Sequence, residues 1–187
     1  ITSDFELGAS FSVELENQTI IDLWGGFCDE NKTRRWERDT IVNVFSVSKA
    51  ITAICLGRLI ERGLININLA VRDYWPEFGC NGKETITVKQ LLNHTAGMFA
   101  FREGIPIDNW QDWNQYTRLL EAQAIYHEPG QSQAYHALTF GWLIGELIKR
   151  IDGRTVGEYF QDEVAQPLDI DFKIGLQSND FGRCADT

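Results

Sequence analysis

Ser46 and Lys49 stand three residues apart at the opening of an apolar stretch that reads as a helix. Three helical residues turn by about 300° and rise about 4.5 Å, so the two side chains fall on one face within reach of each other. A serine hydroxyl becomes a nucleophile when a base takes its proton, and a lysine enclosed by apolar side chains gives up its own proton more readily. At a helix N-terminus the Ser46 amide is also an unpaired donor, aimed where an oxyanion would form. Seven serines and six lysines in 187 residues generate Ser-x-x-Lys by accident about 0.2 times per chain, so the spacing alone is a weak signal. Its setting strengthens it, because a lysine inside an apolar helix costs stability unless its charge is used. The second candidate is Tyr135, in Gln133-Ala134-Tyr135-His136-Ala137, just after the Pro129-Gly130 break. A phenol there can pass a proton when a cation such as Lys49 stabilises the phenolate. Taken by itself, Tyr135 reads equally as a packing residue with a satisfied hydroxyl.

These residues need elements to position them. Residues 9–15 alternate, with Phe11, Val13 and Leu15 on one face; Glu16-Asn17-Gln18 reads as a turn, and 19–24 resumes a β-rich run before Gly25-Gly26. This is a β-hairpin expected at the edge of a sheet. A polar loop over 28–40 leads to a short β-prone run at 41–45 and then to a helix over about 46–62. That helix is apolar nearly all round (Val47, Ala50, Ile51, Ile54, Cys55, Leu56, Leu59, Ile60), which predicts deep burial, with Gly63 as its C-terminal cap. Thr87 and Gln90 form a capping box for a short helix ended by His94-Thr95-Ala96-Gly97. Residues 110–124 carry Trp113, Tyr116, Leu120 and Ala124 at helical spacing. A strongly amphipathic helix follows, with Phe140, Leu143, Ile144, Leu147, Ile148 and Ile151 on one face and Gly153 beyond its end. Gly141 and Gly145 predict close backbone packing on it. A last helix runs from Thr155, boxed with Glu158, to before Pro167. The order of hairpin, strand, buried helix and helical block is an α+β pattern, divided at 1–78 for the α/β part and 79–187 for a mostly helical domain.

The bulk figures exclude several classes. With 43% hydrophobic, 12% aromatic and 24% charged residues, the chain has too many core formers for disorder and no apolar run long enough for a membrane span. Its formal charge of −10 repels a phosphate backbone, which argues against nucleic acid as a partner. Cys28, Cys55, Cys80 and Cys184 lie far apart without a Cys-x-x-Cys, and Cys55 sits in the apolar helix, so they read as free thiols in a reducing, cytoplasmic setting. The first residues show no secretory signal pattern. His127 with Glu128 lacks metal-ligand spacing, and Gly25-Gly26 lacks the following helix of a phosphate loop, so neither a metal nor a nucleotide cofactor is implied. Three Asn-x-Thr triplets, at Asn17, Asn31 and Asn93, match the common glycosylation pattern.

The longer motifs resemble a known group. Phe45-Ser46-Val47-Ser48-Lys49-Ala50, Glu61-Arg62-Gly63-Leu64, Tyr74-Trp75-Pro76-Glu77-Phe78 and Ile86-Thr87-Val88-Lys89-Gln90-Leu91-Leu92-Asn93-His94-Thr95-Ala96-Gly97 occur in the order and spacing of the serine β-lactamase-like superfamily. That superfamily takes in class C β-lactamases, DD-peptidases and family VIII carboxylesterases. Glu128-Pro129-Gly130, Tyr135-His136-Ala137, Arg150-Ile151-Asp152-Gly153 and Gln166-Pro167-Leu168 continue the match over nearly the whole chain. The resemblance implies a β-lactamase/transpeptidase-like fold, an antiparallel sheet flanked by helices plus a helical domain. It also implies that Ser46 is acylated, that Lys49 is its proton acceptor or electrostatic partner, and that Tyr135 protonates the leaving group and activates water. Two departures matter. The β-lactamase pattern Tyr-x-Asn has an amide where this chain has Ala137, which looks more like the esterase branch. Nothing over 170–187 resembles the Lys-Thr-Gly or His-x-Gly segment that lines the nucleophile's pocket in the family, where the hairpin also pairs with C-terminal strands. The chain is therefore expected to be the N-terminal half of an enzyme, lacking those strands and completed by further sequence or by a second chain.

The expectation is a serine hydrolase forming an acyl-enzyme, a carboxylesterase on small or short-acyl esters that needs no cofactor. A β-lactamase or D-amino-acid peptidase is the alternative enzyme, with an ester or lactam as partner in either case. The rival outside enzymes is a silent homologue that binds acyl or peptide ligands. His136 and Ala137, beside Tyr135, and Phe99 and Trp110 in the helical block are the candidate substrate-binding residues, with core packing the competing reading for the two aromatics. His94 is expected to make a structural hydrogen bond.

Overall fold

The computed structural model describes residues 6–104 and 109–186. By internal packing the chain forms two compact units, Ile1–Phe45 with Gly175–Thr187, and Ser46–Ile174.

In the first unit, strands β1 (Gly8–Leu15) and β2 (Gln18–Gly26) pair antiparallel, from Gly8 opposite Gly26 to Leu15 opposite Gln18, with a bulge beside Val13 and Glu14. The turn is tight because Glu16 and Asn17 both take positive φ, 51° and 63°, the conformation whose twist matches that of the flanking strands. The hairpin is a two-stranded sheet, and Phe11, Leu15 and Leu23 on it are exposed. The β-prone run at 41–45 forms no strand; it makes a single parallel bridge, Ile41 to Cys184, since no neighbouring strand in the unit offers it a ladder. The polar loop is nevertheless fixed. The Asp29 carboxylate accepts from the Thr33 and Arg34 amides at 3.0 and 2.7 Å, and the Thr33 amide leads the groups holding its pKa below the usual value.

The second unit is helical. Helix α1 (Val47–Glu61) is followed by α2 (Val88–Leu92), α3 (Trp113–Ala122), α4 (Thr139–Asp152), α5 (Val156–Phe160) and α6 (Gln166–Leu168). Leu56 and Leu59 of α1 share a core with Trp75, Phe78, Leu120, Ile144, Leu147 and Tyr159. Both predicted capping boxes form, at Thr87/Gln90 and Thr155/Glu158, and Gly153 closes α4 in the left-handed conformation at φ 94°.

Three expectations are corrected. Helix α1 buries only one side: Cys55, Leu56 and Leu59 are covered by the α4 and α5 packing, whereas Val47 and Ile54 are 56% and 50% exposed. Close approach on α4 occurs at Gly145 alone and is made by a ring rather than a backbone, since a Cβ there would stand 2.6 Å from the Trp113 indole while one at Gly141 would meet open space. The last helix does not stop before Pro167. A π-turn over Gln161–Ala165 lets the Gln166 amide bond Gln161 five residues back, and the widened turn carries the path past the proline, which has no N–H for an ordinary helical bond.

Helix α3 starts later than its spacing suggests because the Asp112 carboxylate caps it, accepting from the Gln115 amide at 3.0 Å. Its other end is held by a residue the sequence did not mark. Lys83 is fully buried and its ammonium donates to the Glu121 carbonyl at 3.0 Å and to the Gln123 carbonyl, with the Phe78 ring beside it. A cation at a helix C-terminus meets carbonyls that have no helical partner. Replacing it as Lys83→Met removes the donor and leaves those carbonyls buried, so urea denaturation should show a loss of about 2 to 3 kcal/mol; a loss below about 0.5 kcal/mol would show that the carbonyls find other partners.

Candidate active site

Ser46 occupies the N-cap of α1 with nearly helical angles (φ −72°, ψ −7°), and its hydroxyl makes no cap hydrogen bond. The oxygen that would ordinarily serve the helix end is thus left for other partners. Its partner is Lys49: Nζ donates to Ser46 Oγ at 3.2 Å, and the Lys49 amide donates to the Ser46 carbonyl at 3.1 Å. The same ammonium lies 4.9 Å from the centroid of the Tyr135 ring. The Ser46 hydroxyl, and after it the Lys49 ammonium, favour the ionised form of Tyr135 and hold the phenol below its ordinary value of 10.0. Residues 86 to 89 positions apart in sequence thereby form one cluster. Ser46 and Tyr135 are exposed and Lys49 half-buried, so a solute can reach the hydroxyls. Phe45, directly before Ser46, has φ 46°, a left-handed conformation that strains a bulky residue by roughly 1–3 kcal/mol and is characteristic of functional sites.

His136 does not present its ring to this cluster's open side. It is fully buried, its Nδ1 bonds the Ala134 carbonyl at 2.8 Å, and burial pushes its pKa down to about 4. Tyr135 and Ala137 on either side of it are exposed, so the His136 ring alone turns into the core. Ala137 is exposed, and its amide donates to the Tyr135 carbonyl at 2.9 Å. The ring contacts of Phe99 are with Tyr126 and His127, and those of Trp110 with Tyr116 and Trp142. These contacts place both in aromatic packing of the helical unit, the competing reading from sequence. His94 makes the expected structural bond, its Nδ1 accepting the His136 amide at 3.2 Å. Among the described residues no three His, Cys, Asp or Glu side chains gather to hold a metal ion, and no helix is long and apolar enough to cross a membrane. The four cysteines are unbonded, and burial raises the Cys55 thiol to about 11.

The Beta-lactamase family model matches residues 4–187. The chain belongs to the Beta-lactamase family. It is 38% identical over 167 residues to the Esterase/beta-lactamase LipL of Mycobacterium tuberculosis, a match covering 88% of this chain and 38% of LipL. A family VIII carboxylesterase structure superposes with a TM-score of 0.91 at 40% identity, over 96% of this chain and 50% of that one. A penicillin-binding protein homologue from Caulobacter crescentus does so with a TM-score of 0.91 at 38% identity, over 97% of this chain and 49% of the other. The β-lactamase/transpeptidase-like fold expected from the motifs is thus the fold present, and the chain spans half or less of the length of these relatives.

Two titrations check the electrostatics. In an ultraviolet difference titration, Ser46→Ala and Lys49→Met should each move the Tyr135 phenol upward toward 10.0, and an unmoved phenol in both would show that neither group touches it. For His136, the unfolded chain binds a proton near 6.5 and the folded one only near 4, so stability is full above 6.5 and falls as pH drops through that interval. The loss by pH 4 is at most roughly 3 kcal/mol. Denaturation curves at the two ends of the interval should show a smaller difference in His136→Asn than in the parent.

Proposed function

We propose that this chain carries the nucleophile and proton shuttle of a serine hydrolase working through an acyl-enzyme, a carboxylesterase on small or short-acyl esters. The observation that carries this reading is the Lys49 ammonium bonded to an uncommitted Ser46 hydroxyl beneath a phenol of lowered pKa. In the proposed sequence Tyr135, its phenolate stabilised by Lys49, takes the Ser46 proton as Oγ attacks the ester carbonyl. The tetrahedral oxyanion faces the Ser46 amide at the helix N-terminus. Tyr135 then returns the proton to the departing alkoxide, leaving the acyl group on Ser46. Water entering in the alcohol's place gives a proton to the Tyr135 oxygen as it attacks the acyl carbonyl; the Oγ–acyl bond then breaks, Tyr135 returns that proton to Ser46 Oγ, and the carboxylic acid departs.

The substrate class follows from Ala137. Its methyl offers no donor where the β-lactamase pattern has an amide, so binding energy for an acylamino side chain is absent, and a simple ester has no need of it. The carboxylesterase relative supports the same choice, and the name of LipL covers both substrate classes. A β-lactam or D-amino-acid peptide is the second substrate class, favoured by the penicillin-binding protein homologue. Because the chain spans half or less of these relatives, the active protein is proposed to include sequence that completes the sheet and pocket, in the same polypeptide or a second chain. The unbonded cysteines favour a reducing compartment.

The test uses the complete protein. A fluorophosphonate probe should label the parent and not Ser46→Ala, and Ser46→Ala should lower turnover of p-nitrophenyl butyrate about a thousandfold or more. Equal labelling of the two proteins removes the nucleophile assignment. Faster turnover of nitrocefin than of the butyrate ester would move the substrate from esters to lactams.

A further inference from the structure

Tyr135 is half-exposed, with 52% of its surface open, and it sits in a stretch without helix or strand, so its oxygen can hold a fixed place only if the backbone around it is anchored. Both anchors lead to one residue. The Ala134 amide donates to the His94 carbonyl at 3.0 Å, and the His136 amide donates to His94 Nδ1 at 3.2 Å. The two amides flanking Tyr135 are thereby tied to a single side chain and its own carbonyl. The His94 ring also braces the tyrosine ring itself, edge-on at 64° with centroids 4.9 Å apart. Behind it the imidazole rests on Phe140 of α4, at 5.3 Å.

His94 holds this place at a cost. Helix α2 ends in a paired turn, the Thr95 amide donating to the Gln90 carbonyl at 2.9 Å and the His94 amide to the Leu91 carbonyl at 3.3 Å. This arrangement requires a left-handed residue at position 94, which is usually glycine or asparagine. His94 adopts it with φ 65°, at an expense of about 1 kcal/mol relative to glycine. A residue kept against local preference, with its backbone carbonyl and its Nδ1 used on either side of Tyr135, has a use beyond ending the helix. We infer that His94 is a positioning residue for Tyr135, holding the phenol over Ser46 and Lys49 through the two flanking amides. Nδ1 can accept only while the ring is neutral, and burial, with the Lys49 charge second, favours the neutral form.

The inference rests on the serine hydrolase reading for its kinetic arm and on geometry alone for its titration arm. The test compares two variants of the complete protein. His94→Gly removes the Nδ1 acceptor and the ring while relaxing the left-handed turn, so helix α2 keeps its ending. His94→Asn also suits that turn and offers Oδ1 where Nδ1 was. With p-nitrophenyl butyrate, His94→Gly should lower kcat about 10- to 100-fold with KM within about twofold, as expected for a misplaced proton carrier rather than a damaged binding site. His94→Asn should recover kcat to within about threefold of the parent. In ultraviolet titration the Tyr135 phenol should rise toward 10.0 in His94→Gly and stay low in His94→Asn. Parental kcat and phenol titration in His94→Gly would overturn the inference, as would a folded His94→Asn no better than His94→Gly. If the parent protein neither turns over esters nor takes the fluorophosphonate label, the hydrolase reading fails, and the phenol titrations still decide whether His94 positions Tyr135.

Discussion

An ammonium at the mouth of an apolar helix has to be solvated by something, and in this chain it is solvated by Ser46 and the face of Tyr135. The Lys49 charge joins a hydroxyl one turn away to a ring brought from a distant loop. The contact is short-ranged: a cation over an exposed ring contributes about 0.5–1 kcal/mol, too little to hold a loop in place by itself. The arrangement therefore depends on the surrounding scaffold to bring the three groups together, and once together the Ser46 hydroxyl and then the Lys49 charge favour the ionised phenol.

The scaffold meets that demand from two directions. Helix α1 is fixed by its buried side, where Cys55, Leu56 and Leu59 lie in the core shared with α4 and α5, and this sets the azimuth of Ser46 and Lys49 about two turns earlier. The Tyr135 stretch runs between His94 at the end of α2 and the start of α4, and α4 is itself wedged by the Trp113 ring at Gly145 and by the Trp113 indole bond to Glu146 at 2.6 Å. Rigid elements on both sides and irregular backbone between them is the usual division of labour at a reactive centre. The same economy explains His136, whose ring fills the core while its amide serves the anchor, so one residue in Tyr135-His136-Ala137 faces inward and its neighbours face out.

Much of this was legible in the chain because it depends on local rules. The hairpin follows from alternation and a turn that tolerates positive φ, the capping boxes at Thr87 and Thr155 from side chains that bond their own helix ends, and the Ser46–Lys49 pair from helical rise alone. Where the reading strayed, a non-local term intervened. The β-prone run at 41–45 could not form a strand without a neighbour to bond. Pro167 could not stop a helix that had already widened into a π-turn. The all-round apolar pattern of α1 could not reveal which side would be covered.

By itself the sequence determined the family, through ordered motifs whose residues follow one another closely, and the contact of Ser46 with Lys49, because three positions on a helix have only one geometry. Tertiary structure alone decided that Tyr135 meets that pair, that the His136 ring does not, that Lys83 closes α3, and that His94 bonds the chain beside Tyr135 as well as ending its helix. The reason is range. Hydrogen-bonding and steric preferences within a turn are written in neighbouring residues, whereas the meeting of positions 46, 94 and 135 is set by how helices pack, and packing sums many weak contacts that no short stretch of sequence contains.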